Sequence, residues 1–316
     1  VSSVPETVPF PETGDLRWRP VADVLEDGNR YVPLLTLRDE TGRSYGEGAA
    51  WMEYRTGPLA GGTVAYAWHT LLQDPDHGTA LAVDMIETAL IDALPPLARA
   101  ECPFTEHPPA IDGRLGDAAW KHAPAITDFR RLWTTEKPRY RTAARLLWDN
   151  DALYVAFHCE DEDIWAEQWT RDAPLWEGEV VEIYIDPEGD GRNYKEIEVN
   201  PLNAFIDLVI PQAVHGNPGN WRKNRAWDAD GLETAVHPRG TVSRRDDTDR
   251  GWSAELRIPF DALEVAPPRP GEKWRVQLFR IDRPKNAETP ELLHWSPSNT
   301  FHNPRRFGIL TFRKQR

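Results

Sequence analysis

The stretch PLWEGEVVEIYIDPEGDGRNYKEIEVNP, residues 174–201, packs eight carboxylates and one tryptophan into 28 residues. Its reading decides the fold. Side chains alternate between the two faces of a strand. In VVEIYID, Val181, Ile183 and Ile185 therefore point one way, and Glu182, Tyr184 and Asp186 the other. In the return run, Ile197 and Val199 oppose Tyr194, Glu196, Glu198 and Asn200. A hairpin closed by DPEGDGRN sets an aliphatic face against a face of carboxylates and phenols, with Trp176 just outside it. The aliphatic face belongs to a core. The polar face is the candidate for function.

The turn itself admits two readings. Asp186, Glu188 and Asp190 occupy alternate positions before Gly191, like the first half of a calcium loop. Ile197 stands where such a loop closes with a bidentate Glu, so a polar hairpin turn is the competing reading. CEDED, residues 159–163, is a second acidic candidate.

Outward from the hairpin, short strands are expected at 142–148, 153–159, 204–210, 232–237, 251–259, 273–282, 292–296 and 307–312. Asp149–Asp151 supplies hairpin-turn chemistry between the first two. Many short strands divided by Gly, Pro and Asp predict a mainly β chain, an antiparallel β-sandwich over 101–316. In IDGRLGDAAW, Asp112 and Gly113 read as a turn and Trp120 as a plug for the sandwich.

The composition changes near residue 100. Residues 1–100 hold seven Arg, no Lys, 15 Asp or Glu and three of the 14 Trp. ALPPLARAECPFTEHPPAIDG, with its five prolines, reads as the boundary. Before it a small α/β region is expected: a strand at 31–38, two more around the glycine-rich turn 57–62, and a helix over 76–94 capped by Asp76. GPLAGG lacks the lysine of a phosphate loop and reads as a hairpin turn. The region resembles the last strands and helix of a glutamine-amidotransferase-like domain. It has no Cys to act as nucleophile, which implies a remnant of such a domain and not an amidase.

A net charge of −14 repels phosphate backbones and anionic lipid surfaces, which argues against nucleic acid and membrane partners. The chain opens on VSSVPETVPF, with neither initiator Met nor signal-like segment, and reads as a processed or partial chain. Cys102 and Cys159 form no zinc-type cluster; whether they pair is left open by the sequence. The nine His show no ligand spacing, and Met52 and Met85 fall outside the expected sandwich, against a haem reading.

Five blocks follow one another in order: 110–129, 146–163, 174–208, 249–263 and 303–312. Together they resemble the family nine carbohydrate-binding modules. The resemblance implies a sandwich that binds sugars without chemistry, often beside a catalytic glycoside hydrolase domain, in polysaccharide degradation. It implies two aromatic rings that clamp a terminal sugar, matched here by Trp176 and Phe301, and a hydroxyl-bonding carboxylate, Glu182. Two positions depart from the best-known binders. Phe301 stands where they carry Trp, and Glu198 where they carry Arg; both changes alter which hydroxyl pattern fits. The resemblance requires no cofactor, allows a structural calcium, and favours an extracellular or periplasmic setting. Two other readings stay open. Glu182 and Glu198 could be a glycosidase pair at the roughly 5–5.5 Å separation of retaining enzymes, or the sandwich could serve interdomain packing.

Overall fold

In the computed structural model of the protein, residues 29–57, 60, 62–67, 85 and 95–314 are described, apart from 133, 135, 214, 215 and 286. The chain divides into two units, Val1–Ala93 and Leu94–Arg316. In the first, β1 (Arg30–Arg38), β2 (Ser44–Glu53) and β3 (Thr63–Ala67) form an antiparallel sheet in the order β1-β2-β3. The helix expected over 76–94 lies outside the described residues, Met85 excepted.

The second unit starts earlier than the expected residue 101. The reason is a strand that the prolines of the boundary segment concealed: β4 (Arg99–Pro103) pairs in parallel with the closing strand of the unit. Every strand expected between 142 and 312 forms. They are β6 (Thr142–Trp148), β7 (Ala152–Cys159), β8 (Val180–Asp186), β9 (Arg192–Val199), β10 (Phe205–Gln212), β11 (Glu233–Pro238), β12 (Trp252–Pro259), β13 (Lys273–Asp282), β14 (Glu291–His294) and β15 (Gly308–Arg313). A two-residue strand, β5 (Arg130–Arg131), completes the set.

These strands make two sheets. The larger runs β10-β9-β8-β13-β14-β5, with β15 joining β13 and β4 joining β15; the smaller runs β11-β12-β7-β6. Long β13 serves two neighbours on one side, β15 along its first half and β14 along its second. Between the sheets lies the main core. Val181, Ile183, Ile185, Ile197 and Val199 face Leu146, Val155, Phe157, Ala254 and Leu256 across it. Cys102 and Cys159 sit in this core as free thiols, and burial pushes the Cys159 thiol up to about 12.

A second apolar layer covers the far side of the larger sheet. Leu175, Tyr184, Tyr194, Ile206, Leu208, Phe279 and Phe307 belong to it. β8 is consequently buried along its whole length. A third cluster covers the outer face of the smaller sheet, and Trp120 belongs there rather than between the sheets. Its indole N–H donates to Glu255 (2.7 Å), whose other oxygen accepts from the backbone of Gly113 (2.7 Å) and Asp112 (3.0 Å). Gly113 has φ +80°, and a Cβ there would lie 2.7 Å from the Val236 carbonyl carbon, so no larger residue fits this turn.

One buried cation joins the sheets. Arg280 alternates with Leu278 and so points into the core, where its side chain is fully inaccessible. It donates to Asp161 (2.9 Å), Asp282 (3.2 Å), the Glu160 carbonyl (2.9 Å) and the Thr142 hydroxyl (3.3 Å). Asp161 comes from the CEDED segment, and with Glu179 and Asp282 it forms a buried acidic trio around the guanidinium. Removing one partner of a buried ion network leaves the others charged and unpaired, at roughly 3–5 kcal/mol. Arg280→Leu is therefore expected to lower the unfolding free energy by about that amount, measured by urea denaturation. A loss below about 1 kcal/mol would show that the carboxylates do not need the guanidinium.

Candidate functional site

The β8–β9 hairpin forms in the register that the alternation requires. Glu182 pairs with Glu198, and Tyr184 with Glu196. The three glutamates leave the sheet on the side away from the main core. A carboxylate oxygen from each lies within 4.8 Å of the others. Glu196, read in the sequence only as part of the face, thus joins the two singled-out glutamates.

The face is not open, as its polarity suggested. Glu182, Glu196 and Glu198 are 1, 3 and 2 % exposed. The Tyr184 hydroxyl donates to Glu196 (3.0 Å). One oxygen on each glutamate is inaccessible and has no hydrogen-bond partner. Burial of charge is costly without compensation, which shifts the carboxyls toward their protonated forms. Burial, then neighbouring Glu196, pushes Glu182 well above the carboxylate range; burial, then Glu182 and Glu196, does the same to Glu198. Burial raises Glu196 to about 7.

Aromatic side chains share the glutamates' side of the sheet. In β13, Phe279 pairs with Glu182 across the ladder, and Phe301 lies flat on Phe279, with ring centroids 4.3 Å apart and planes 26° from parallel. Trp176 packs against the same apolar layer as Phe301. It meets Trp221 edge-on at 5.0 Å, and its carbonyl accepts from Arg283 (2.9 Å). Trp176 and Phe301 both remain half-buried. The four residues singled out in the sequence thus belong to one side of one sheet. Trp221, Phe279 and His302 were not legible as neighbours. Trp221 comes from a four-residue helical turn, Trp221–Asn224, in a segment without strand or helix periodicity. His302 stacks on Tyr184 (5.3 Å) and shares a hydrogen bond with the Tyr194 hydroxyl (2.9 Å); burial lowers its imidazole to about 3, so it is neutral.

The acidic turn after β8 works differently. Asp186 accepts from the backbone N–H of Gly189 and Gly191, both at 2.9 Å, and Asp190 from that of Arg192 at 2.8 Å. Glu188 is exposed. Among the described residues, the carboxylate trios that converge are Asp161–Glu179–Asp282 and Glu182–Glu196–Glu198; Asp186, Glu188 and Asp190 are not such a group. The turn spends its acids on its own backbone, as hairpin chemistry does.

A sequence profile described as "Carbohydrate family 9 binding domain-like" matches residues 111–315, about two thirds of the chain. The chain belongs to this family. Its function is carbohydrate binding, and the family is one of binding modules rather than catalysts. Solved structures resemble it at low identity. A candidate carbohydrate-binding protein from Bacteroides uniformis ATCC 8492 shares 16% identity with TM-score 0.52, over 69% of this chain and 100% of that one. A family 9 carbohydrate-binding module from Caldicellulosiruptor kristjanssonii shares 18%, over 69% of this chain. It is solved with cellotriose (TM-score 0.48, 95% of that chain) and with glucose (TM-score 0.49, 97% of that chain). No curated protein matches.

The loop that carries Phe301 depends on a neutral imidazole. His294, opposite Phe279 in the ladder, accepts at Nδ1 from the Ser298 N–H (2.8 Å). Burial, then Arg306, lowers His294 to about 4. Protonation would turn the Nδ1 acceptor into a donor facing another donor. A folded-state value below the unfolded value means stability that is complete above about pH 6.5 and lost as pH falls towards 4. An NMR titration should place His294 near pH 4, and His294→Gln should flatten the stability change across that window. A value near 6.5 would contradict the burial assigned to it.

Proposed function

We propose that the family 9 domain binds the terminus of an oligo- or polysaccharide, non-catalytically, between Trp176 and Phe301, with Glu182 and Glu198 bonding hydroxyls. The observation that carries the reading is the row Phe301–Phe279–Glu182–Glu198. An aromatic platform rests on the strand next to two directly paired carboxylates, and Trp176 packs on the same layer. One face of Phe301 rests on Phe279 and the ring stays only half-buried, which suits it to stack on the C–H face of a sugar ring. Carboxyl groups bonded to hydroxyls set specificity.

The same arrangement weighs against hydrolysis. A hydrolase needs its two carboxylates on either side of a cleft that admits the scissile bond and a water. Here both lie side by side on one ladder, on the same side of one sheet. A catalytic glycoside hydrolase domain is the natural partner for such a module, which would hold substrate near it.

A glycan array on the intact chain, followed by titration calorimetry with the best oligosaccharide, tests the reading. Trp176→Ala should weaken binding at least about tenfold, or 1.4 kcal/mol. Glu182→Gln should cost about 1.5–3 kcal/mol, and Phe301→Trp should tighten binding by enlarging the platform. Unchanged affinity in Trp176→Ala would refute the clamp.

A further inference from the structure

Two buried acidic trios lie in the domain, and they are balanced differently. Asp161, Glu179 and Asp282 surround the Arg280 guanidinium, which donates directly to two of them. Glu182, Glu196 and Glu198 have no Lys or Arg in contact among the described residues. The Tyr184 hydroxyl donates to Glu196, and the His302 ring lies 3.9 Å from Glu196, already engaged by Tyr194. Each of the three keeps an oxygen that neither protein nor solvent reaches. Three carboxyls so placed can ionise together only with positive charge from outside the chain.

We propose that Glu182, Glu196 and Glu198 bind one divalent, oxygen-preferring cation of the calcium class. Three observations converge on it. The carboxylate oxygens lie within 4.8 Å of one another, compatible with a shared ion about 2.3–2.6 Å from each ligand. The donor set is wholly oxygen, which suits Ca²⁺, Mn²⁺ or Mg²⁺ over softer metals. Each of the three residues is at least nine-tenths buried and carries an oxygen without a partner. The site is distinct from the acidic turn at Asp186–Asp190, whose carboxylates are spent on backbone N–H groups. That the ion lies beside Phe279 and Phe301, and so next to the sugar, rests on the reading above; the ion site itself does not.

The test uses the full chain, stripped with chelator and titrated with CaCl₂ by calorimetry without sugar. One ion per chain is expected, with affinity lowered at least about tenfold in Glu198→Gln and in Glu196→Gln, and unchanged in Asp186→Asn. No uptake by the wild-type chain, or uptake undiminished in both glutamine variants, would overturn the proposal and leave shared protons as what holds the trio. Should a variant fail to fold, Mn²⁺ added to the wild-type chain decides. Selective broadening of the His302 and Tyr184 NMR signals supports the site; broadening elsewhere alone overturns it. A parallel sugar titration separates the two readings, because sugar binding lost with ion binding intact counts against the clamp only.

Discussion

The pairing of Glu182 with Glu198 across one ladder is the constraint on which the domain depends. It is fixed from the other side of the sheet, where Val181, Ile183, Ile185, Ile197 and Val199 fill the core between the sheets. A slip of one residue would exchange the two faces, driving carboxylates into that core. The apolar packing therefore sets the register, and the register sets three glutamates side by side. A cluster that would be unfavourable to assemble for its own sake is imposed by hydrophobic burial behind it.

The larger sheet is covered on both sides, and this explains why polar residues within it have such unequal surroundings. Arg280 and Phe279 are neighbours in β13 but face opposite layers. The guanidinium ties β13 to the start of β6 and the segment after β7, fastening one sheet to the other through ion pairs and main-chain carbonyls. Phe279 instead supports the ring of Phe301 from a segment far along the chain. One strand thus carries both the fastening of the sandwich and the platform of its candidate site.

Much of this was legible in the sequence, because period-two alternation is a local signal. The strands between residues 142 and 312, the hairpin faces and the Asp149 turn follow from it, and Asp149 indeed accepts from Asp151 and Ala152. What stayed hidden depends on long-range contact. β4 is short, bounded by proline, and a strand only because β15 lies beside it. The burial of the glutamates could not be read from their own stretch, since the layer on their side of the sheet draws Phe279, Phe301, His302 and Phe307 from elsewhere in the chain. A polar face looks solvent-exposed in one dimension, and only the folded chain shows that loops close over it. Arg280 was likewise hidden: nothing in KWRVQLFRID distinguishes its arginine from the exposed kind.

The parallel pairing of β4 with β15 has a mechanical consequence. These strands open and close the second unit, and they run in the same direction through five paired positions, from Arg99 with Ile309 to Pro103 with Arg313. Tension applied to the chain before β4 and after β15 therefore pulls at opposite ends of the ladder. The load falls on all the rungs together, in shear, and does not peel them off singly. Strained along this axis, the chain presents the geometry most resistant to being unzipped.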